Sequence, residues 1–116
     1  MKWMKANPQI GEVWFIEFSY DQKPRHALVV GSHPNSRLAV SSVLQITTQH
    51  GGTEFEVTLP RVPWLREQSY VNAQTIQPVK WTEFVRKAPG QFFPSVMAEV
   101  KQALSRWLVL PDQGRT

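Results

Sequence analysis

The three histidines are the side chains of this 116-residue chain best suited to acid–base or metal chemistry. His26, His33 and His50 stand in separate segments, and their spacing is not that of a metal-ligand motif. A histidine pair acting as acid and base on RNA is compatible with the spacing, although no other residue supports it. The absence of cysteine excludes zinc–thiolate sites and thiol nucleophiles. We therefore expect neither a metal nor another cofactor.

The motifs of several large enzyme classes are absent. The sequence contains no G-x-x-x-x-G-K-[ST], no G-x-G-x-x-G after a strand, no G-x-S-x-G and no H-E-x-x-H. Charge is more informative: residues 1–60 hold five Lys/Arg against five Asp/Glu, and the remainder holds eight against four, which gives the net +4. This surplus favours a polyanionic partner such as nucleic acid or an acidic protein segment, with a solvated basic face as the plain alternative.

The composition predicts one globular domain that spans residues 1–116. Hydrophobic residues make up 41% of the chain and charged residues 19%, which is enough apolar surface for a packed core. The chain has no apolar run near the roughly 20 residues that a membrane span needs, and its first ten residues lack the apolar centre of a secretory signal. We expect a cytoplasmic protein that does not contact membranes.

The elements that must position any functional residue are predicted to be short strands followed by one helix. Phe55, Val57 and Leu59 alternate with polar residues, the pattern of a half-exposed strand. Other predicted strands are 12–18, 26–31 and 37–47, the last with a bulge or bend at Ser41-Ser42. Residues 69–73 and 75–79 are predicted as two short strands or as one strand with an irregularity, and Trp81 to Lys87 as a brief helix.

The last predicted element is a helix from Pro94 to Leu108. It begins with a proline and carries apolar residues at i, i+3 and i+4 spacing. No helix separates the early strands, so we expect a mainly β fold, a small curved antiparallel sheet or barrel that the helix covers. The aromatic and apolar residues assigned to the core are Trp14, Phe15, Phe55, Trp107 and Leu108.

Four segments, in order, resemble the successive strands of one protein family. They are GEVWFIEF (11–18), RHALVVG (25–31), QIT (45–47) and FEVTLP (55–60), and they are similar to strands of the MazF/PemK toxins of bacterial toxin–antitoxin systems. The segment YVNAQTIQPV around Gln74 and the stretch from Gly90 to Leu110 agree with the same family. The resemblance covers about residues 9–110.

The resemblance implies an SH3-like β-barrel that forms a homodimer and acts as a metal-independent endoribonuclease on single-stranded RNA at short sequences. A cognate antitoxin would silence it. The family's catalytic arginine and threonine correspond to Arg25 and Thr47. Family members usually have Arg-Pro where this chain has Arg25-His26, Pro-Ile-Thr where it has Gln45-Ile46-Thr47, and a longer loop where it has only residues 19–24.

The chemistry of these two side chains suits RNA cleavage. Attack by a neighbouring 2′-hydroxyl places negative charge on phosphoryl oxygens, and the fork of Arg25 can bond two of them. Because arginine stays protonated, Arg25 is not the general base, and the sequence names none. Strand alternation puts Gln45 on the face of Thr47 and turns His26 away from the face of Arg25.

Weaker site predictions concern residues that support the site or bind RNA. Gln45, on the face of Thr47, is predicted to support the site or bind RNA, and Gln74 to support the site or the dimer through hydrogen bonds. Tyr20 and Lys23 are predicted to contact RNA from the 19–24 loop. Trp64 is able to stack on a base, although packing is its simpler role. Two alternatives stay open: a non-catalytic toxin-fold protein that binds RNA, an antitoxin or, like CcdB, gyrase, and a basic SH3-like binding module outside any toxin system.

Overall fold

Seven antiparallel strands and one α-helix make up the part of the chain that the structure, a computed structural model, describes: residues 6–18, 23–35 and 37–111. The strands are β1 (Glu12–Glu17), β2 (Pro24–Gly31), β3 (Val40–Thr47), β4 (Glu56–Thr58), β5 (Tyr70–Asn72), β6 (Gln77–Lys80) and β7 (Phe84–Gln91). The helix α1 spans Pro94–Leu108, and 3₁₀ turns occupy Ala73–Thr75 and Trp81–Glu83.

The strands form one sheet in the order β4-β5-β3-β2-β1-β7. The long strand β3 is its centre, because β2 lies along one edge while β6 and β5 share the other. The end strands β4 and β7 lie at opposite ends of this order, so the sheet is barrel-like without closing. The predicted mainly β fold with a C-terminal helix is confirmed.

Two apolar clusters cover the two faces of the sheet. Val13, Leu28 and Leu44 are buried on one face, where α1 contributes Met97 and Val100. The opposite face carries a second cluster, whose buried members are Ile16, Phe18, Ala27, Val29, Val43, Val79 and Phe84. Because side chains alternate along a strand, each central strand contributes side chains to both clusters. Its backbone is therefore packed on both faces.

The irregularity predicted at Ser41-Ser42 lies instead in the facing strand. Val29 pairs with Val43 but Gly31 pairs with Ser42, so Val30 is an extra residue in β2, while β3 pairs with β6 without interruption from Val40 to Val43. A β-carbon at Gly31 would lie 3.3 Å from that of Ser42, a close approach that favours glycine there.

The predicted helix over Trp81 to Lys87 is wrong. A 3₁₀ turn ends at Glu83, and the chain then continues as β7, which pairs antiparallel with β1. The segment around Phe84 is too short for its apolar pattern to distinguish a helix from a strand. Pairing with β1 makes it a strand.

The assignment of Trp107 and Leu108 to the core is also wrong. They are 40% and 45% exposed, because α1 extends past the surface that its middle turns cover. Trp107 keeps an edge contact with Phe55, with ring centroids 5.4 Å apart. Trp14, Phe15 and Phe55 are partly buried. No helix among the described residues has the length and apolarity to cross a bilayer.

Candidate active site

Arg25 and Thr47 lie at the same end of two neighbouring strands. Ala27 of β2 pairs with Gln45 of β3. This pair is the last of the β2–β3 ladder, and Arg25 and Thr47 each lie two residues beyond it on their strands. By strand alternation Arg25 lies on the face of Ala27 and Thr47 on the face of Gln45, so the two residues that the sequence singles out lie on one face of the sheet, at the same end of the two strands.

Both residues line an open groove of about 510 Å³. Strands β2 and β3 provide one wall, and the segment that links β4 to β5 provides the other. The lining residues are Arg25, His26, Ile46, Thr47, Thr48, Trp64, Leu65, Arg66 and Glu67. Because consecutive residues of a strand face opposite ways, a lining that includes both Arg25 and His26 means that the groove opens around the strand ends.

His26 therefore lies in the groove wall, although alternation does separate it from the face of Arg25. Its ring packs on Phe15, with centroids 5.1 Å apart, and the guanidinium of Arg86 lies 4.9 Å from the centre of the same Phe15 ring. Partial burial, and then the charge of Arg86, lower the pKa of His26 below its ordinary 6.5. The lowered pKa favours the neutral imidazole, whose ring packs on Phe15 of β1.

The hydroxyl of Thr47 is held by its own loop. Its oxygen accepts a hydrogen bond of 3.1 Å from the backbone N–H of Gln49. This bond uses one acceptor position of the hydroxyl and not its hydrogen, so the Thr47 hydroxyl can still donate to a phosphate oxygen. The local turn thus fixes the side chain in a state suited to an anionic ligand.

The second wall is built from the proline-flanked segment after β4. Trp64 packs on Phe92, with ring centroids 5.7 Å apart, and lies against Gly90, where a β-carbon would approach the indole nitrogen to 3.4 Å. Arg61 donates to the backbone carbonyl of Arg66 at 3.1 Å, which ties the two ends of the wall together. Trp64 is therefore a packing residue that also presents one side to the groove.

The other predicted site residues are scattered. Gln45 lies on the Thr47 face, paired with Ala27. Lys23 is exposed immediately before β2. Gln74 is exposed in the 3₁₀ turn, where its backbone N–H donates to the Asn72 side chain at 2.8 Å, and it does not line the groove. Tyr20 lies outside the described residues.

The groove also contains residues that the sequence did not suggest. Thr48, Arg66 and Glu67 line it, and Ile46 does so while packing against the first apolar cluster. The neighbouring charged residues Arg66 and Glu67 show no local sequence pattern typical of a site. Their position in the groove depends on how the segment between β4 and β5 folds back against β2 and β3. Among the described residues, no three His, Asp or Glu side chains lie close enough together to hold a metal ion.

Comparison with known proteins places the chain in a family. The model of the PemK-like, MazF-like toxins of type II toxin–antitoxin systems matches residues 9–108. The chain belongs to this family. No curated protein matches it.

Solved structures of other PemK/MazF-like proteins share the fold of this family member. A mycobacterial endoribonuclease, solved with its cognate antitoxin, is 24% identical, with 90% of this chain and 98% of that chain covered and a TM-score of 0.76. The MazE–MazF complex of Deinococcus radiodurans (Form-I) gives 26% identity, 90% and 98% coverage and a TM-score of 0.70. The toxin MazF-mt6 of Mycobacterium tuberculosis gives 20%, 87% and 99%, and 0.75.

Proposed function

We propose that this PemK/MazF-like protein is the toxin of a toxin–antitoxin pair and cleaves single-stranded RNA in the cytoplasm without a metal. The observation that carries the proposal is that Arg25 and Thr47, at the same end of two paired strands, line one groove. Family membership supports the same activity, because similar structures include proteins described as endoribonucleases.

The proposed reaction uses the 2′-hydroxyl of the RNA as nucleophile. The 2′-hydroxyl loses its proton as its oxygen bonds to the adjacent phosphorus, the bond from phosphorus to the 5′-oxygen breaks, and the 5′-oxygen takes up a proton, so the products are a 2′,3′-cyclic phosphate and a 5′-hydroxyl. Arg25 stabilises the charge that builds up on the phosphoryl oxygens, and Thr47 donates its hydroxyl hydrogen to one of them. The two residues position the phosphate and stabilise its charge, and neither needs to act as the base.

The direct test is incubation of the purified protein with single-stranded RNA in excess chelator. We expect cleavage that leaves a cyclic phosphate, and Arg25→Ala should reduce its rate by about 100-fold or more, the usual loss when one preorganised donor is removed. Arg25→Lys keeps the charge but not the fork, so it should recover only part of the rate. The matched control is Arg37→Ala, which removes an exposed arginine of a turn outside the groove.

Three results would contradict the proposal. Equal cutting by Arg25→Ala would remove Arg25 from the mechanism. Dependence of the wild-type rate on added metal would exclude the metal-independent reaction. Inhibition of DNA supercoiling with intact cellular RNA would favour a gyrase poison over a nuclease.

The proposed protein partner is a cognate antitoxin. Support comes from the family and from the MazE–MazF complex of Deinococcus radiodurans, which is 26% identical to this chain. Co-expression with the protein encoded next to it should yield a complex that does not cut RNA. Free nuclease activity in the purified complex would contradict this assignment.

A homodimer is the proposed assembly. Residues near the end of α1 leave apolar surface exposed, with Val109 85% and Leu110 49% accessible, and such surface is available to a second copy or to the antitoxin. Sedimentation of the purified toxin should give twice the mass of the chain. A monomer at every concentration tested would contradict the proposal.

A further inference from the structure

The loop between β3 and β4 is organised by a single carboxylate. Glu56 Oε1 accepts the backbone N–H groups of Gly51 at 2.8 Å and Gly52 at 3.0 Å, and its Oε2 accepts the hydroxyl of Thr53 at 3.3 Å. A β-carbon at Gly51 would lie 2.6 Å from Oε2, and Gly52 has φ +76°, so both positions favour glycine.

Glu56 stays ionised within this loop. Burial alone would raise the pKa of its carboxyl group, but hydrogen bonds from Gly52, Gly51 and Thr53, with the nearby His50, bring that pKa below its ordinary value of 4.5. Its side chain is only 7% exposed. The loop is therefore a defined structure around a fixed charge, and it presents the residue that precedes the two glycines in one place.

That residue, His50, is stacked on Tyr70. The ring centroids are 4.5 Å apart and the planes differ by 11°, while His50 Nε2 lies 3.7 Å from Glu56 Oε1. The side chain of His50 is 52% exposed, so the imidazole is covered on the side of Tyr70 and open to solvent elsewhere. A flat ring fixed from behind, with solvent in front, is a surface on which another flat ring can stack.

The stacked pair lies next to Thr47. Tyr70 of β5 pairs directly with Thr47 of β3, so their side chains stand on one face as cross-strand neighbours. On the other edge of β3 lies β2, whose Arg25 lines the same groove as Thr47. Strand β3 therefore has Arg25 of β2 on one side of Thr47 and Tyr70 of β5 on the other, with His50 stacked on Tyr70.

We propose that the His50–Tyr70 stack is a nucleobase-binding subsite, which takes the base of a nucleotide next to the phosphate held at Arg25 and Thr47. The ligand class is single-stranded RNA, whose unstacked bases bind proteins by stacking on aromatic rings. The subsite rests on the proposed nuclease function, and it gives that function a positioning element. Glu56 acts through His50 and is a positioning residue.

Ring stacking, rather than proton transfer, is the role that the contacts favour. Nε2 of His50 faces the Glu56 carboxylate, and the ring is parallel to Tyr70, so the exposed surface is largely the outer ring face. Stacking tolerates any base because every base has a π face. We therefore expect the subsite to contribute affinity with little sequence preference.

The test measures binding separately from cleavage. The probe is a fluorescein-labelled, mixed-sequence, single-stranded RNA about 12 nucleotides long with 2′-fluoro riboses, which cannot be cut through a 2′-hydroxyl. We expect His50→Ala to weaken its binding by roughly tenfold in fluorescence polarisation, and His50→Phe, which keeps a ring without nitrogens, to restore affinity to within about threefold. His33→Ala, at an exposed turn position, should bind like the wild type.

A second probe isolates the base. An abasic strand of the same length keeps the phosphates but offers nothing to stack, so His50→Ala and the wild type should bind it equally. Circular dichroism and thermal melting confirm that each variant is folded, which is expected because His50 is largely exposed.

The outcomes separate this proposal from the nuclease. Wild-type affinity in His50→Ala overturns the subsite, and so does a His50→Phe variant as weak as His50→Ala, because it would assign the effect to a nitrogen contact with phosphate or to a proton transfer. If the wild type fails to cut unmodified RNA but shows the His50-dependent binding, the nuclease proposal fails and the subsite stands. No binding of RNA by the wild type overturns both.

Discussion

The two ends of β3 each carry a hydroxyl, and the structure uses them in opposite ways. Near its start, Ser41 is 2% exposed and lies between Trp81 and Ser32. At its end, Thr47 is partly exposed in the wall of the groove. The hydroxyl at one end of β3 is thus buried in internal hydrogen bonds, and the hydroxyl at the other end is accessible to a ligand.

The hydrogen bonds at the Ser41 end are fully committed. The indole N–H of Trp81 donates to Ser41 Oγ at 2.9 Å, and the hydroxyls of Ser41 and Ser32 are 2.8 Å apart. Ser32 gives its own hydrogen to the carbonyl of Pro8 at 2.7 Å, so Ser41 must be the donor in the bond to Ser32. Ser41 therefore has no hydrogen left for any other group.

At the Thr47 end, the hydroxyl accepts one bond from Gln49 and keeps its hydrogen for a ligand. The difference comes from what lies beside each hydroxyl: Ser41 is hydrogen-bonded to the Trp81 indole and to Ser32, while Thr47 lines the groove. A hydroxyl can bind a ligand when its hydrogen is not already donated within the protein and when it is exposed to solvent. Residue type alone does not determine either condition.

Removing the Thr47 hydroxyl should have the largest effect of the changes proposed for the two ends of β3, and it should act on RNA cleavage. Thr47→Val keeps the β-branched shape and removes the hydroxyl, so RNA cleavage should fall by about 100-fold while the free energy of unfolding changes by less than about 1 kcal/mol. Initial rates on single-stranded RNA, with chemical denaturation beside them, measure the two quantities. Thr47→Ser should keep most of the rate, and an unchanged rate in Thr47→Val would remove the hydroxyl from the proposed mechanism.

Removing the hydroxyl of Ser41, at the buried end of β3, should lower stability. Ser41→Ala leaves the Trp81 N–H buried without its acceptor, which should lower the free energy of unfolding by about 1–3 kcal/mol. Cleavage per folded molecule should stay at the wild-type level. Urea denaturation followed by tryptophan fluorescence gives the first quantity, and a cleavage defect at full folding would show that the two ends are coupled.

The helix and the early strands could be predicted from the sequence because their signals are local. The proline at the first position and the apolar spacing after it lie within the helix itself, and α1 has the predicted bounds, Pro94–Leu108. Strand β7 could not be predicted in the same way. Val85, Arg86 and Lys87 are all exposed and show no alternation, so pairing with β1 alone makes this segment a strand.

The candidate site was predictable only in its first pair. Arg25 and Thr47 follow from a family resemblance, and the antiparallel pairing of β2 with β3 puts them at the same end of the two strands. The Tyr70–His50 stack and the wall around Trp64 depend on chain segments that return from about 20 residues away. Spacing along the sequence carries no information about such returns, so the positions of these residues beside Thr47 became visible only in the fold.

A smaller loss of stability is expected when Ser32, the hydrogen-bond partner of Ser41, is changed. Ser32→Ala removes the acceptor of the Ser41 hydrogen and the donor to Pro8, but Ser32 is half-buried and water can take over part of its role. We expect a loss of about 1 kcal/mol, less than for Ser41→Ala. A larger loss than that of Ser41→Ala in the same urea titration would show that Ser32, and not Ser41, holds this end together.

The smallest effect concerns His26 and the dependence of stability on pH. Burial, and then Arg86, lower the pKa of His26 in the folded protein below 6.5, so the unfolded chain binds this proton more readily. Stability should therefore be complete above about pH 6.5 and decline as the pH falls toward the lowered pKa. His26→Gln should flatten this decline in denaturation series between about pH 7.5 and pH 5.5, and Arg86→Gln should flatten it in part, because Arg86 is the lesser of the two causes. If the slope of His26→Gln equals that of the wild type, the decline belongs to other groups, and the groove wall at His26 tolerates a charged imidazole.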